Sequence, residues 1–180
     1  VKSNIDNLYK YHEFWVTDST ILLDINVVHR DRRNKKLLLG TTQGLYFYEG
    51  NGGDFMLYDQ TNDFPIIQRP GIYDIFQNDS ICLIATSIGV FELSASQGIV
   101  RHFSESNNTL PYDNITHIHQ DKIDGSFWLG SNYGGLIHWN METGSYQQFT
   151  KKDGLVDEMV YAVYEDENAN LWLPSNLGLM

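Results

Sequence analysis

Two patterns of side chains in this sequence have the spacing of metal sites. His117 and His119 lie two residues apart, so on a β-strand both imidazoles would point to the same face. The run Asp166-x-Asn168-x-Asn170 resembles the start of a calcium-binding loop, but leucines occupy the positions where that loop needs a glycine and a glutamate. The other histidines are scattered. Ordinary strand and turn positions account for both patterns better than metal binding does, so we expect neither a metal site nor another cofactor.

Paired carboxylates and the cysteine are the remaining candidates for chemistry. Asp121 and Asp124 fall on turn positions. Asp157 and Glu158 could act as the general acid and base of a glycosidase, although a solvated acidic loop is the simpler explanation. Cys82 sits in the apolar run ICLIA with no cation nearby in sequence, and no phosphate-binding loop, Rossmann or serine-elbow motif is present. We therefore expect no catalytic residues, and a segment that is not an enzyme.

The composition is typical of a packed globular protein. Of 180 residues, 4 are Trp, 11 are Tyr and 9 are Phe, whereas 19% are charged. A formal net charge of -11 disfavours nucleic acid as a partner, because phosphate binding depends on clustered cations. No apolar run approaches the roughly 20 residues needed to cross a bilayer, so a membrane contact would come from other parts of a longer parent. The chain starts at Val1 without a signal peptide, which favours an excised or processed segment.

A sequence repeat indicates which secondary-structure elements position these side chains. An apolar column recurs along the chain, with successive members 45, 45 and 44 residues apart. Two residues later a second column, mostly of small residues, keeps the same spacing, and each stretch ends on glycine followed by an aliphatic residue. The apolar column is Leu38, Leu83, Trp128 and Trp172, and the second column is Gly40, Ala85, Gly130 and Pro174.

Each unit reads as four short runs of β-branched, aromatic and aliphatic residues, separated by Asp, Asn, Gly and Ser turns. Such a unit predicts a four-stranded antiparallel meander, which cannot bury both of its faces unless it stacks on neighbours like itself. Four strands at this period are typical of β-propeller blades. The apolar column should then lie on the second strand and pack on the adjacent blade. The small residues of the second column should permit close approach.

We therefore predict an all-β fold of about four propeller blades of roughly 45 residues, forming part of a larger propeller. The chain would be one domain with five parts. These are the outer strands of a preceding blade at 1–20, three blades at 21–65, 66–110 and 111–155, and a partial blade at 156–180.

At these residues the sequence resembles the regulator-propeller repeats in the sensor region of hybrid two-component proteins. The resemblance is specific over roughly 110–180. The fourth unit departs from the family pattern at Pro174, where the family favours glycine, and units one and two lack the tryptophan. The matching residues of the third unit are Asp121, Asp124-Gly125, Trp128-Leu129-Gly130-Ser131, Gly135-Leu136, Phe149 and Asp153-Gly154-Leu155. Those of the fourth unit are Glu165-Asp166, Trp172-Leu173 and Gly178-Leu179.

The resemblance implies a function. Similar proteins are extracytoplasmic ligand sensors, joined through a membrane helix to a histidine kinase and often to a receiver and a DNA-binding regulator, and many are thought to sense oligosaccharides. It thus implies a periplasmic, ligand-sensing segment of an inner-membrane phosphorelay protein. None of the kinase, receiver or DNA-binding parts is present in these 180 residues. The family motif consists of scaffold residues, so it places no ligand contact by itself.

Loops at the rim of the blades are the candidate binding residues. Aromatic rings can stack on sugar C–H groups, and amides can bond sugar hydroxyls. The candidates are Tyr112, Asn114, Asn132, Tyr133, Asp157 and Glu158.

Two other functions stay open. A propeller lyase or glycoside hydrolase acting on polysaccharide would use acidic rim residues such as Asp157 and Glu158. A protein–protein assembly module would use the blades as a rigid surface, and unpaired strand edges would favour self-association or contact with neighbouring blades.

Overall fold

The computed structural model describes residues 24–48, 55–58 and 69–180. Within these ranges every regular element is a β-strand, apart from one 3-10 turn at Lys151–Asp153. In the same ranges no helix is long and apolar enough to cross a membrane. The all-β class predicted from the sequence is confirmed. The outer strands predicted for 1–20 lie outside the described residues.

Three antiparallel sheets follow one another along the chain, and each has four strands in sequence order. Blade one consists of β1 (Ile25–Arg30), β2 (Leu37–Thr41), β3 (Gly44–Tyr48) and β4 (Met56–Leu57). Blade two consists of β5 (Ile72–Gln77), β6 (Cys82–Thr86), β7 (Gly89–Ser94) and β8 (Gly98–Phe103). Blade three consists of β9 (Ile115–Gln120), β10 (Phe127–Ser131), β11 (Leu136–Trp139) and β12 (Tyr146–Phe149).

Blade four is partial. Two short pairs, β13 (Tyr164–Glu165) with β14 (Leu171–Trp172) and β15 (Pro174–Ser175) with β16 (Gly178–Leu179), account for its regular structure. Between β14 and β15, Leu173 exchanges two backbone hydrogen bonds of 3.0 Å with Met180. The two pairs are therefore joined by continuous backbone pairing into one small sheet.

The segment that enters blade four is less regular than β1, β5 and β9. The amides of Val160 and Val163 donate to blade three, to Ser131 O at 2.9 Å and to His117 Nδ1 at 3.3 Å. Within blade four the same segment pairs through the Tyr161 amide, which donates to the Pro174 carbonyl oxygen at 2.9 Å, and then through β13.

The apolar column lies on the second strand of each blade, as the repeat predicts. Leu83 belongs to the same buried cluster as Ile115 and Ile118 of the next blade. Leu38 likewise packs with Ile72 and Ile75, and Trp128 packs with Val160 and Val163. Each blade therefore buries its second strand against the first strand of its successor.

The column of small residues permits the close approach of successive blades. A Cβ added to Gly40 would lie 2.6 Å from Cγ2 of Ile72, which opens the next blade. One added to Gly130 would lie 2.8 Å from the Val160 carbonyl oxygen. Distances this short leave no room for a side chain. The sequence pattern thus identified the points where neighbouring blades touch.

Candidate ligand-binding rim

One edge of the blades is formed by the loops that join the second and third strands. In each blade the last Ser or Thr of the second strand donates its hydroxyl hydrogen to the carbonyl oxygen of a glycine at or just before the start of the third strand. The four pairs are Thr41 with Gly44 at 2.8 Å, Thr86 with Gly89 at 2.8 Å, Ser131 with Gly135 at 2.7 Å and Ser175 with Gly178 at 3.0 Å. The glycines have φ between 75° and 117°, a region that side chains disfavour. This hydrogen bond fixes the conformation of each loop. We call these loops, together with the links that lead into the first strand of each blade, the rim.

The link before blade three meets the rim loop of the same blade. Tyr112 donates its hydroxyl hydrogen to the Asn132 carbonyl oxygen at 2.8 Å. The Asn132 amide donates to the Asn114 carbonyl oxygen at 2.9 Å. The structure therefore brings three of the six predicted binding residues into direct contact.

The aromatic ring of Tyr112 also fills the space beside Gly134. A Cβ on Gly134 would lie 2.4 Å from Cγ of that ring, so the loop needs glycine there. Tyr133, one residue earlier, has a φ of 79° and an exposed fraction of 64%. A tyrosine in this conformation is uncommon, and backbone strain of this kind is concentrated at functional sites. The ring of Tyr112 therefore packs against the loop, whereas the ring of Tyr133 is exposed to solvent.

The link before blade four completes the rim. The Gly135 amide donates to the Glu158 carbonyl oxygen at 2.9 Å, and Met159 forms an isolated β-bridge with Asn132. The carboxylate of Asp157 is buried, accepts a hydrogen bond from the Glu158 amide at 2.8 Å and lies 3.6 Å from Lys151 Nζ. All six predicted residues therefore lie on one continuous strip, although Asp157 is engaged in holding its own loop.

Two polar atoms of this strip have no partner among the described residues. The side-chain oxygens Oδ1 of Asn114 and Asn132 are buried without a hydrogen bond. An unsatisfied buried amide costs about 1–3 kcal/mol, so such atoms are uncommon and invite a functional explanation. Both atoms are closed off from solvent in this arrangement of the rim, so a ligand hydroxyl would reach them only after a movement of the loop.

Several rim residues were missed by the sequence analysis. Gln148 on β12 donates its side-chain amide to the Gly134 carbonyl oxygen at 2.8 Å. Tyr161 donates its hydroxyl hydrogen to Oδ1 of Asn176, and the Asn176 amide contacts the sulfur of Met159 at 2.7 Å. Tyr161 has an exposed fraction of 44%, so it adds a second accessible aromatic ring near the strip. The repeat contains a signal for Asn176, which follows Ser175 as Asn132 follows Ser131, whereas Tyr161 follows no motif.

The two histidines of the H-x-H pattern lie on β9 and serve the junctions between blades. His119 Nε2 is 3.0 Å from Oε2 of Glu165, and His117 Nε2 is 3.7 Å from Oδ2 of Asp74. Burial lowers the pKa of His117, and the nearby Asp74 carboxylate only partly opposes this effect. The neutral imidazole can then accept the hydrogen bond from Val163. These partners give both rings a structural role.

Asp121 and Asp124, predicted as turn formers, lie in a network with Ser126, Trp128 and His138. Burial acts to raise the pKa of Asp121, but hydrogen bonds from the Ile123 amide and the Trp128 indole outweigh it and hold the pKa below its ordinary value. The ligand atoms of Asp121, Asp124 and His138 lie within 4.8 Å of one another, close enough for a metal ion. The Ser126 hydroxyl bridges Asp124 and His138 at 2.5 Å to each, so the network is satisfied by its own members.

The calcium-like run is a turn. Asp166 accepts hydrogen bonds from Asn170 at 2.9 Å and from the indole of Trp172 at 3.0 Å. These bonds, led by the one from the Asn170 side chain, hold the pKa of Asp166 well below its usual range.

Burial raises the pKa of the Cys82 thiol to about 12, which makes it a poor nucleophile. The Asp166 turn and Cys82 therefore provide neither a metal ligand set nor a nucleophile at the rim.

Three stacked meanders and a partial fourth define the chain as a β-propeller segment. No protein-family model matches the sequence, and no curated protein matches it. Solved structures do match. The extracellular domain of the hybrid two-component system BT3049 from B. thetaiotaomicron has a TM-score of 0.72 and 21% identity, over 87% of this chain and 21% of that chain.

Two further solved structures are similar to this chain. The extracellular domain of the one-component system BT4673 from B. thetaiotaomicron has a TM-score of 0.67 and 18% identity, over 86% of this chain and 21% of that chain. A WD40 β-propeller domain has a TM-score of 0.61 and 11% identity, over 86% of this chain and 49% of that chain. The likeness establishes the propeller fold, and the first two structures are of the kind that the sequence resembles. This chain spans 21% of each of those extracellular domains.

Proposed function

We propose that this chain is part of the periplasmic sensor propeller of a two-component signalling protein, and that its rim binds an oligosaccharide. Binding would alter the propeller, and a histidine kinase elsewhere in the parent protein would transmit the change to a transcription regulator. The two extracellular domains from B. thetaiotaomicron support the sensing part of this proposal, since one is described as belonging to a hybrid two-component system and the other to a one-component system.

The observation that carries the ligand assignment is the exposed ring of Tyr133, held at a positive φ on the rim loop beside two half-buried asparagines. Asn114 and Asn132 supply amide side chains, and Tyr133 supplies the accessible ring. Sugars combine hydroxyl groups with apolar C–H faces, so both halves of the site match one ligand class. The backbone contact between the two asparagines holds their side chains on adjacent segments.

The hydrolase alternative depends on Asp157 and Glu158. A catalytic carboxyl group must reach the glycosidic bond, whereas the Asp157 carboxylate is buried against the Glu158 amide and Lys151. This arrangement favours binding over catalysis. The hydrolase function would require that the chain cleaves a polysaccharide and that Glu158→Gln abolishes this cleavage.

Isothermal titration of the 180-residue chain with a panel of oligosaccharides of different sugar composition tests the proposal. We expect a binder whose affinity falls about tenfold, or about 1.4 kcal/mol, when Tyr133 is changed to Ala. Asn132→Ala should weaken binding comparably, because it removes one of the two amide side chains beside Tyr133.

Tyr146→Ala is the matched control. Tyr146 is also an exposed tyrosine, but it lies on the outermost strand of blade three, away from the rim. Its loss should leave the affinity unchanged. A panel without any binder, or equal weakening by Tyr133→Ala and Tyr146→Ala, would contradict an oligosaccharide site at the rim.

A further inference from the structure

Blade three has a longer rim loop than the other described blades. The hydroxyl donor and the glycine that accepts its hydrogen bond are three residues apart in blades one, two and four, but four residues apart in blade three. The run Ser175-Asn176-Leu177-Gly178 of blade four therefore corresponds to Ser131-Asn132-Tyr133-Gly134-Gly135 of blade three with one residue added. In repeat proteins, additions to single repeats fall in loops on one face, which is often the binding face.

The added residue is accompanied by an unfavourable backbone conformation. Tyr133, two residues after the hydroxyl donor, has a φ of 79°. In this left-handed region the Cβ atom comes too close to a backbone carbonyl oxygen. The corresponding residues of the other three loops, which have no positive φ, are Gln43, Ile88 and Leu177. The loop of blade three therefore holds a conformation that does not suit its own sequence.

Two buried oxygen atoms make the same arrangement more costly. Oδ1 of Asn132 in the loop and Oδ1 of Asn114 in the adjacent link are buried and accept no hydrogen bond within the described part of the chain. The Asn132 amide donates to the Asn114 carbonyl oxygen, so the two side chains leave neighbouring backbone segments. A buried acceptor without a donor is unfavourable, because it has lost its hydrogen bonds to water. An arrangement that uncovers both oxygens would regain such bonds.

The arrangement in the structure, which we call closed, is held by a small number of hydrogen bonds. Tyr112 donates its hydroxyl hydrogen to the Asn132 carbonyl oxygen at 2.8 Å. Asn132 also forms the β-bridge with Met159, and the Gly135 amide donates to the Glu158 carbonyl oxygen at 2.9 Å. Met159 and Glu158 belong to the link that enters blade four. A movement of the loop therefore changes the contact between blades three and four.

We propose that the loop at 132–135 has a second, open arrangement, and that the ligand binds to it. This inference rests on the proposed function, because the ligand is the oligosaccharide expected at the rim. In the open arrangement the side-chain oxygens of Asn114 and Asn132 accept hydrogen bonds from sugar hydroxyl groups, and the loop releases Met159 and Glu158. Because the two oxygens are accessible only in the open arrangement, the sugar shifts the equilibrium toward it. Sugar binding thereby alters the junction between blades three and four.

NMR relaxation dispersion of the ligand-free 180-residue chain tests for the two arrangements. We expect exchange on the microsecond-to-millisecond timescale at the backbone amides of 132–135 and at the side-chain amides of Asn114 and Asn132. The shorter loop of blade two, from Thr86 to Gly89, is the internal control and should show no such exchange. Absence of exchange in blade three, or equal exchange in both loops, would overturn the proposal.

Two variants should move the equilibrium in opposite directions. Tyr112→Phe keeps the ring beside Gly134 but removes the hydroxyl group that bonds to Asn132 in the closed arrangement. The open population should then rise about fivefold, the factor that corresponds to one ordinary hydrogen bond. Deletion of Gly134 gives blade three the loop length of blade four, so the exchange should disappear. An open population that Tyr112→Phe leaves unchanged would contradict the closed arrangement as the competing state.

Isothermal titration of the same variants with the oligosaccharide panel separates this inference from the proposed function. Apparent affinity scales with the population of the binding-competent arrangement, so Tyr112→Phe should bind up to about fivefold more tightly and the deletion about tenfold more weakly. An oligosaccharide that binds the unaltered chain and both variants equally would keep the rim as its site and refute the open arrangement. Exchange that follows the variants as expected, without any binder in the panel, would keep the two arrangements and contradict the sugar as the ligand.

Discussion

The junction between blades one and two and the junction between blades three and four share one hydrogen-bond geometry. At the first, Oε1 of Gln77 lies 2.9 Å from Nε2 of His29 and accepts from the Arg32 amide at 3.1 Å. At the last, Oε2 of Glu165 takes the same place, 3.0 Å from Nε2 of His119 and 3.3 Å from the Lys122 amide. One side-chain oxygen thus joins an imidazole and a backbone amide in both.

A second contact repeats at the same two junctions. The Asn26 side chain donates to the Ile72 carbonyl oxygen at 2.8 Å, and the Thr116 hydroxyl donates to the Val160 carbonyl oxygen. The junction between blades two and three differs, because Phe76 stands where the other two have histidine and packs edge-on against Phe127 with ring centroids 5.4 Å apart. The repeat therefore preserves backbone geometry, while the chemistry that stabilises each junction varies.

The largest expected effect comes from removing the shared acceptor. Glu165→Ala leaves His119 and the Lys122 amide without their partner at a buried position, so we expect a loss of about 3 kcal/mol in the free energy of unfolding. Gln77→Ala removes a neutral acceptor and should cost about 1 kcal/mol. Chemical denaturation measures both.

Glu165→Gln is the matched control, because Gln77 already performs this role. If geometry decides the strength of the junction, this variant should lose less than about 1 kcal/mol. A loss as large as that of Glu165→Ala would mean that the carboxylate charge, rather than the shared geometry, holds blades three and four together.

The next effect concerns the close approach of the blades. Gly130→Ala would place a Cβ 2.8 Å from the Val160 carbonyl oxygen and 3.0 Å from the Thr116 hydroxyl, so we expect a loss of about 2 kcal/mol from overpacking. Blade two carries Ala85 at the same place, and Ala85→Gly should cost only about 0.5–1 kcal/mol. Equal stability of Gly130→Ala and the unaltered chain would show that the last junction is as loose as the middle one.

A smaller effect should follow pH. Burial lowers the pKa of His117, so its neutral form is favoured in the folded chain. Below the ordinary value of 6.5 the unfolded chain binds this proton more readily, and stability is lost as pH falls. We therefore expect a lower melting temperature at pH 5.5 than at pH 7.5, in a range that lies above the ordinary carboxylate titrations.

His117→Asn should reduce that pH difference. The groups that face His117 are Asp74 on β5 and His119 on its own strand, so both remain in the variant. His29→Asn alters an imidazole of the first junction and should retain the difference. An unchanged pH difference in His117→Asn would assign it to another group.

The period of the repeat made much of the fold predictable. A residue such as Leu83 or Gly130 has a similar environment in each of the first three blades, so its column revealed both its strand and the surface it contacts. The polar contacts across the junctions could not be predicted in this way. The partners Gln77 and Asp31 are 46 residues apart, and their meeting depends on the register of two blades rather than on a local pattern.

The rim was predictable only in part. Loop positions followed from the period, and the structure places all six predicted residues on one strip, where their role as ligand contacts stays a proposal. The sequence did not indicate that Tyr112 braces Asn132, or that the Asp157 carboxylate is engaged by Lys151. Such roles depend on where a side chain points, which residue type alone does not determine.

The smallest effect should come from a contact that blades three and four have and the first two lack. The indole of Trp128 donates to Asp121 at 2.8 Å, as that of Trp172 does to Asp166 at 3.0 Å. Trp128→Leu restores the residue type of blades one and two and keeps an apolar contact to the next blade. The hydrogen bond, the ring stacking on His138 and the ring contact with Phe149 are lost, so we expect a cost of about 1 kcal/mol.

An NMR titration of the same variant separates the hydrogen bond from packing. The pKa of Asp121 should rise toward its ordinary value when the indole is gone, because that bond is one of those that lower it. Asp121→Asn provides the reciprocal change, since an amide oxygen still accepts from Trp128, and Asn78 stands at this place in blade two. If Trp128→Leu destabilised the chain as much as Glu165→Ala while the pKa of Asp121 stayed low, packing of the indole rather than its bond to Asp121 would account for the tryptophan in the later blades.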